Sequence, residues 1–321
     1  MYDVAKLAAV SHQTVSRVLN DFAGIRPETR DRVLAAIAEL GYRPNKAARA
    51  LVTKRSRAIG VLVPATTDYG PTSSLHAIER AVRRAGYQPL VTSTPLEPAA
   101  IVESLEFLLD HSIEALVAIA PYRVLLDPLA GLDAALPVVA LQTGDADGAL
   151  PGIDQVAGAR AAVAHLAGLG HRRIQQLAGP DDFLEATVRR RTVDAELARR
   201  GLPALPTLTG DWSADSGYAA GARVDPAATA VVCGNDQMAL GLIHALVDAG
   251  RRVPGEVSVV GFDDIPESAH SLPPLTTVHQ DFEEVGRRAV ALLLHRLDGG
   301  DPPPREAILP TLTVRASTAT A

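Results

Sequence analysis

The chain has a single cysteine, Cys233, among its 321 residues, so an internal disulfide is excluded. It has no run of about 18 apolar residues and no charged-then-apolar leader, which argues against membrane insertion and export and favours the cytoplasm. Without a CxxC pair, and with only nine scattered histidines, it predicts no metal cluster and no cofactor. GxGxxG, P-loop, GxSxG and paired-carboxylate patterns are also missing, so we do not expect an enzyme.

What the chain does have is an uneven charge distribution. Residues 1–57 carry eleven lysines and arginines against five acids, a balance of +6. The remainder carries 20 basic and 32 acidic residues, a balance of −12. A small basic module on a large acidic body indicates that only the N-terminal part meets a polyanion. A solvated basic tail is the alternative, but this segment is patterned for helices.

Three short helices are predicted near the N-terminus. Asp3 to Ala9 is the first, and Ser11 can cap a second that covers His12 to Asn20. Arg30 to Leu40 continues a third, with its apolar residues on one face. Short helices with tight connections are typical of a helix-turn-helix module. Residues 45–57 are predicted to be a linker that can become helical.

From Ala58 onward, apolar strands alternate with helices, beginning with the continuous apolar run 58–65. Such a run is typical of a parallel strand that is covered on both faces. The alternation occurs twice, which predicts two doubly wound α/β lobes with a cleft where the strand C-termini converge. A strand is predicted at LPTLTG, residues 205–210, and closing strands are predicted at AILP and LTVRAS, residues 307–310 and 312–317. The predicted domains are a head (1–44), a hinge (45–57) and a core (58–321), whose N-lobe covers about 58–150 and 281–310 and whose C-lobe covers about 151–280 and 311–321.

Several motifs stand in the same order as in one known family. They include YDVAKLAAVSHQTVSRVLN near the start, then GDWSADSGY, CGNDQMALG and VSVVGFDDIPES. In these motifs the chain resembles the lactose-repressor (LacI/GalR) family of bacterial regulators over essentially its whole length, and GDWSA and NDQMALG indicate the lactose-repressor subgroup. The resemblance implies an all-α helix-turn-helix head, a hinge helix, and a core like periplasmic sugar-binding proteins. That core is expected to form a homodimer and to bind a small molecule, usually a sugar.

The outward face of the second helix carries the candidate DNA-reading residues. Gln13 and Arg17 lie four residues apart, with His12 beside them, so all three can reach a major groove together. Arginine suits the guanine edge and glutamine the adenine edge. An exposed polar helix face is the alternative, but charge, helix spacing and resemblance agree on base reading. Phosphate contacts position a protein on the duplex but do not specify the base sequence. They are predicted for Ser11, Thr14, Ser16, Asn20 and Arg30.

Leu51 lies in the predicted hinge. The resemblance places a leucine here as a wedge between base pairs in the minor groove, where it kinks the duplex. The alternative is a leucine that only packs within the helix. Three neighbours would accompany it on the DNA: Asn45, Ala48 and Arg49. Two heads on one dimer are then expected to share a pseudo-palindromic operator.

The core carries the groups that bind sugars, namely polar side chains for hydroxyls and an aromatic plate. Singly they have ordinary explanations, since a lone tryptophan is more often core and an aspartate after a strand often caps a helix. By resemblance, five of them fall at effector-contacting positions: Arg189, Trp212, Asn235, Asp263 and Gln280. Asp68 and Tyr69, after the first core strand, are predicted to complete the N-lobe wall.

The predicted cleft departs from the family pattern on its N-lobe side. The lactose-repressor pattern has an acid at Gln142, an amide near Ile119 and an arginine near Leu96. We therefore expect the effector to be a galactoside or another pyranoside, but the sequence does not specify which sugar. Induction, in which the effector releases the DNA, is the commoner mode of regulation in the family. The sequence starts at Met1 without the few residues that usually precede the first helix, which implies an upstream start or a less stable head. It ends at Ala321 without a leucine-heptad tail, so we expect dimers rather than tetramers.

Two other classes of protein share parts of this pattern. A sugar-binding transport protein would share the core, but it would need an export signal and would lack the head. An α/β enzyme would need a catalytic partner for Asp263, and none is evident. A sequence-specific DNA shift that weakens steeply with salt separates a regulator from both, because phosphate contacts dominate such binding.

Overall fold

The computed structural model describes residues 1–19, 22–42, 55–132, 136–141, 152–299, 302–303 and 306–321. They form two compact units, Met1–Arg57 and Ala58–Ala321. Some residues named above lie outside the described residues: Asn20, Asn45, Ala48, Arg49, Leu51 and Gln142.

The first unit has three helices, as predicted. They are α1 (Tyr2–Leu7), α2 (His12–Leu19) and α3 (Pro27–Glu39). The third begins at Pro27, which suits a first helical position because no N–H bond is lost there. Val4, Val15 and Val33 contribute one buried residue from each helix to a small core. Gly41, with φ at +56°, follows the last helix and allows the chain to turn away.

The second unit contains two α/β lobes. The first lobe begins with β1 (Ala58–Pro64), α4 (Tyr69–Arg84), β2 (Gln88–Thr94), α5 (Pro98–Asp110), β3 (Ala115–Ile119), α6 (Leu126–Ala130) and β4 (Val138–Leu141). The second has α7 (Gln155–Gly168), β5 (Ile174–Ala178), α8 (Leu184–Arg199), β6 (Leu208–Thr209), α9 (Ala214–Gly221), β7 (Ala230–Cys233), α10 (Asp236–Asp248), β8 (Ser258–Asp263) and β9 (Thr276–His279). The chain ends through α11 (Phe282–Asp298) and β10 (Thr311–Thr313).

Both sheets are largely parallel, which confirms the doubly wound prediction. The first has strand order β2-β1-β3-β4, and the second has β10-β9-β8-β7-β5-β6, with β10 antiparallel to β9. In the first sheet, α4 and α11 cover one face and α5 covers the other. Ile59 and Leu62 of β1 belong to the cores on these two faces and are both fully buried. Burial on both faces is the reason why β1 is continuously apolar.

The chain crosses between the lobes after β4, after β9 and after α11. Although α11 follows the second sheet in sequence, it packs against α4 in the first lobe. The last strand, β10, returns to the second sheet. Gln280 lies in the crossing between β9 and α11, and so at the boundary of the two lobes.

The predicted strands differ from the structure in several places. Strand β9 was missed because Thr276 and Thr277 interrupt its apolar pattern, although both are fully buried. The backbone N–H of Thr276 donates to Ser317, and the hydroxyl of Thr277 donates to Asp236. These polar groups can therefore be buried, because each has a hydrogen-bond partner. The AILP segment forms a single bridge, between Ile308 and Ile153, and not a strand. The strand predicted at 205–210 is reduced to the two residues of β6.

Candidate functional site

The two faces of α2 differ in burial as its sequence pattern predicts. His12, Gln13 and Arg17 are exposed, whereas Val15 and Val18 are buried in the head. The three exposed side chains therefore share the solvent side of one helix, where they are free of packing against the head core. This face can present hydrogen-bonding groups to another molecule.

Ser11 caps α2 as predicted. Its hydroxyl accepts a hydrogen bond from the backbone N–H of Thr14 at 3.1 Å and lies 3.0 Å from the Thr14 hydroxyl. The cap satisfies one of the free N–H groups of the first turn and defines where the helix begins. Thr14 and Ser16 are half-buried beside the exposed face.

Phe22 positions Arg17 and was not predicted. The guanidinium carbon of Arg17 lies 5.4 Å from the centre of the Phe22 ring, which is 54% exposed. Arg30 donates to the carbonyl oxygen of Phe22 at 3.5 Å. His12 has its own neighbour, since its ring centre lies 5.4 Å from that of Tyr2. An aromatic residue five positions after the arginine was the sequence signal for this contact.

A cleft enclosing about 730 Å³, including space open to solvent, lies between the two lobes of the second unit. Its lining comes from both sheets and from the crossings. All seven residues predicted for the effector line it: Asp68, Tyr69, Arg189, Trp212, Asn235, Asp263 and Gln280.

A chain of hydrogen bonds runs along one wall of the cleft. The amide nitrogen of Gln280 donates to Asp263 Oδ1 at 2.6 Å, and that of Gln155 donates to Gln280 Oε1 at 2.7 Å. All three side chains are buried. Burial raises the pKa of Asp263 to about 7, against the opposing effect of the nearby Arg189 guanidinium. The carboxyl group is therefore held in one orientation and can exchange a proton near neutral pH.

Arg189 lies on α8 and is held over two aromatic rings. Its guanidinium carbon is 4.4 Å from the ring centre of Phe262 and 5.3 Å from that of Trp212. Nη1 donates to the carbonyl oxygen of Gly234 at 2.6 Å and lies 3.9 Å from Asp263 Oδ1, too far for a hydrogen bond. Burial lowers the pKa of Arg189, although nearby acids counteract this effect. The guanidinium retains N–H groups with which it can bind a ligand.

Trp212 is both a core residue and a lining residue. It is 4% exposed, and its ring meets Phe183 edge-on at 5.0 Å between centres. Its indole N–H has no hydrogen-bond partner within the described part of the chain. A Cβ atom at Gly179 would overlap the indole carbons, so glycine is required for this close approach. The free donor can bind an acceptor on a ligand.

Asn235 holds the backbone around Trp212. Its Oδ1 accepts from the N–H of Met238 at 2.9 Å and so caps α10. Its Nδ2 donates to the carbonyl oxygen of Trp212 at 3.0 Å. The amide thus fixes the loop that carries the tryptophan, and one lone pair of Oδ1 remains for a ligand.

Asp68 and Tyr69 form the first-lobe wall at the start of α4. Burial raises the pKa of Asp68, while a hydrogen bond with Thr66 opposes this shift. The Tyr69 ring meets Phe282 at a steep angle, with 5.9 Å between centres. An acid and two aromatic rings therefore face the second lobe.

Sequence reasoning missed several lining residues that carry polar or aromatic side chains, namely Ser74, Gln155, Phe183, Glu185 and Phe282. Of the positions where the N-lobe side of the cleft departs from the family pattern, Ile119 lines the cleft. Leu96 lies in the turn after β2 and is not among the described residues that line it. The missed residues lie at or near the N-termini of helices or in the segments before them, at the same edges of the sheets as the predicted ones. That shared location was the available signal.

No group of three or more histidines, cysteines, aspartates or glutamates among the described residues could hold a metal ion. None of the helices that the structure describes is long and apolar enough to span a bilayer.

Known proteins match this chain along its whole length. A family model described as bacterial regulatory proteins, lacI family, matches residues 1–45, and one for a periplasmic binding protein-like domain matches residues 163–318. The chain is 34% identical to the lactose operon repressor of Escherichia coli K12, with 99% of this chain and 90% of that protein covered. It is 32% identical to the HTH-type transcriptional repressor PurR of Haemophilus influenzae, with 98% and 97% covered.

A solved structure gives the same picture of the fold. The lac repressor dimer bound to operator and the anti-inducer ONPF superposes with a TM-score of 0.88 at 32% identity. The match covers 99% of this chain and 98% of that one, so it includes both compact units.

Proposed function

The chain belongs to the lacI family of bacterial regulatory proteins, and from this premise we propose how it reads DNA and which ligand controls it. Like its relatives, it is a DNA-binding repressor with a ligand-binding core and not an enzyme. A homodimer binds a pseudo-palindromic operator through two heads. A pyranoside, such as a galactoside, binds in the cleft and lowers the affinity for the operator. The head comprises residues 1–44, the hinge 45–57 and the core 58–321.

The base-reading part of the proposal rests on the exposed face of α2. His12, Gln13 and Arg17 carry donors and acceptors suited to base edges in a major groove. Phosphate contacts are assigned to Ser11, Thr14, Ser16, Asn20 and Arg30, and minor-groove contacts to Asn45, Ala48, Arg49 and Leu51. The basic balance of this part of the chain supports both assignments.

The observation that carries the effector proposal is the meeting of seven separately predicted residues in one cleft. They come from both lobes and are spread over more than 200 positions of the sequence. Carboxyl, amide and guanidinium groups there can bond sugar hydroxyls, and Trp212 can cover an apolar sugar face. A ligand that bonds both lobes favours one lobe orientation over another. In allosteric systems such coupling is typically ~1–3 kcal/mol, and it requires unequal affinity for the two states.

Selection of binding sites from random duplexes, followed by gel-shift titration, tests the DNA-reading proposal. We expect a pseudo-palindromic consensus whose binding weakens steeply with salt. Arg17→Ala should relax the preference at one base pair by about tenfold to a hundredfold, corresponding to ~1–3 kcal/mol. Arg32→Ala, an exposed arginine on α3 with the same loss of charge, is the matched control and should weaken all duplexes alike. Equal effects of the two substitutions would contradict base reading by Arg17.

The effector proposal is tested by adding methyl pyranosides to the repressor–operator complex. We expect one sugar configuration to release the DNA, and Asp263→Asn to abolish that release without weakening operator binding. If no pyranoside binds to the purified protein, the effector belongs to another chemical class.

A further inference from the structure

The cleft contains more acidic than basic side chains. Among the described residues, three with carboxyl groups line it, namely Asp68, Glu185 and Asp263. Of the described residues that line it, only Arg189 has a basic side chain. A single guanidinium therefore faces three carboxyl groups.

Asp68 and Glu185 approach the cleft from opposite lobes. Asp68 precedes α4 of the first lobe, and Glu185 is in the first turn of α8 in the second. Both lie close enough to Tyr122 to act on it. Burial raises the pKa of the Tyr122 phenol to about 12, and the charges of Asp68, Asp182 and Glu185 raise it as well. The acids from the two lobes therefore lie near the same phenol group.

The cleft also has an unsatisfied acceptor. Gln155 is 4% exposed, and its Oε1 has no hydrogen-bond partner among the residues that the structure describes. With the three carboxylates, it makes the cleft rich in acceptors. A protonated amine is the complementary group, since it offers three donors and no acceptor.

Aromatic rings line both sides of the cleft. Phe183 and Trp212 stand on the second-lobe side, and Tyr69 and Phe282 on the first. The face of an aromatic ring attracts a cation, most strongly where water is excluded. Aromatic walls beside carboxyl groups therefore suit a ligand that is positively charged and has a ring with an apolar face.

We propose that the effector is an amino sugar whose ammonium group binds between Asp68 and Glu185. This inference rests on the proposed function and defines the chemical class of its ligand. The same arrangement disfavours a sugar phosphate, because its anion would meet the carboxyl groups of Asp68 and Glu185, and Arg189 has the only basic side chain among the described lining residues. Neutral sugars bind more weakly, through their hydroxyls alone.

The full-length protein provides its own probe for a test. Trp212 is the sole tryptophan and lines the cleft, so its fluorescence reports occupancy directly. The probes are galactosamine, glucosamine and mannosamine, each compared with its parent hexose and with the hexose 6-phosphate. We expect one amino sugar to bind at least tenfold more tightly than its parent, with binding weakened by added salt, and the phosphates not to bind.

Substitutions of the two acids test whether they bind the ammonium group of the amino sugar. Asp68→Asn and Glu185→Gln should each reduce the affinity for the amino sugar at least fivefold more than the affinity for its parent hexose, because an amide can still bond a hydroxyl but has lost the negative charge. Asparagine also suits the position before α4, so folding is retained. Asp194→Asn, an exposed residue on α8, is the matched control and should leave both affinities unchanged.

The outcomes separate this inference from the function on which it rests. A parent hexose that binds as tightly as its amine, or a phosphate that binds at all, overturns the amino-sugar assignment and leaves the pyranoside proposal intact. Binding by no member of the three classes overturns both.

Discussion

Gln280 and Asp263 are joined by a hydrogen bond of 2.6 Å across two neighbouring parallel strands. Asp263 ends β8, where it pairs with His279, and Gln280 is the next residue along the chain. Gln280 also lies where the chain leaves the second lobe for α11. The bond therefore ties a cleft carboxyl group to a segment that must adapt when the two lobes change their relative orientation.

Gln280→Ala should weaken effector binding by at least tenfold while leaving operator affinity unchanged. The substitution removes the donor to Asp263 and leaves the amide of Gln155 without its acceptor, so two buried groups lose their partner. Titration of Trp212 fluorescence measures the effector, and a gel shift measures the operator. Gln88→Ala, at an exposed position at the start of β2, is the control. Weakened operator binding by Gln280→Ala would instead indicate a role in the DNA-bound conformation.

The stability of the second unit should fall as the pH rises from about 4 to about 7. Burial raises the pKa of Asp263 to about 7, with Arg189 opposing the shift and Asp236 and Asp68 adding to it. In this range the unfolded chain has lost a proton that the folded chain still holds. Unfolding therefore releases a proton, and the free energy of unfolding falls by up to about 1.4 kcal/mol per pH unit.

Urea unfolding at pH 4.5, 6 and 8 checks this slope. Asp263→Asn should reduce it, and Asp194→Asn, the exposed control, should not. A smaller slope should persist below about pH 6, because burial also raises the pKa of Asp236 to about 6. A slope that is unchanged by Asp263→Asn would place the proton on another group.

The predictable parts of this fold are those with a periodic apolar pattern. Strand β1 was recognised because Ile59 and Leu62 face different helices, and α2 because Val15 and Val18 share one face. Strand β9 was not recognised, because it buries the hydroxyl groups of Thr276 and Thr277, and their hydrogen-bond partners are distant in sequence. Such partners become visible only in three dimensions.

The cleft shows the same division. Trp212 and Asp263 were found because they stand within recognisable motifs. Gln155 and Glu185 were missed, since neither stands in such a motif and each gains its place from the neighbours around it. Asn235 was predicted as an effector contact, but its hydrogen bonds to Met238 and Trp212 also give it a structural role that the sequence spacing did not indicate.

Gly179→Ala should destabilise the second unit by ~1–3 kcal/mol and abolish effector binding. A Cβ atom there would overlap the rigid indole of Trp212, which cannot move without displacing Phe183. Denaturant unfolding measures the loss, and the tryptophan emission maximum should shift as the ring moves. Gly168→Ala is the matched control, because a Cβ atom there meets nothing within 4 Å and the position is helical. It should be neutral or slightly stabilising.

Phe22→Ala should reduce specific operator affinity about threefold to tenfold without unfolding the head. The ring supports the guanidinium of Arg17 at 5.4 Å and is itself 54% exposed, so its removal costs little packing but frees the arginine to rotate. In the unmodified protein the ring already restricts Arg17 before DNA binds. Without the ring, Arg17 loses that conformational entropy on binding, and affinity falls for this reason. Phe22→Tyr keeps the aromatic face and should bind like the unmodified protein. Gel-shift titrations on the selected operator and on a random duplex provide the comparison, with circular dichroism as the check on folding. An equal loss on both duplexes would mean that Phe22 acts on general DNA affinity and not through the base-reading arginine.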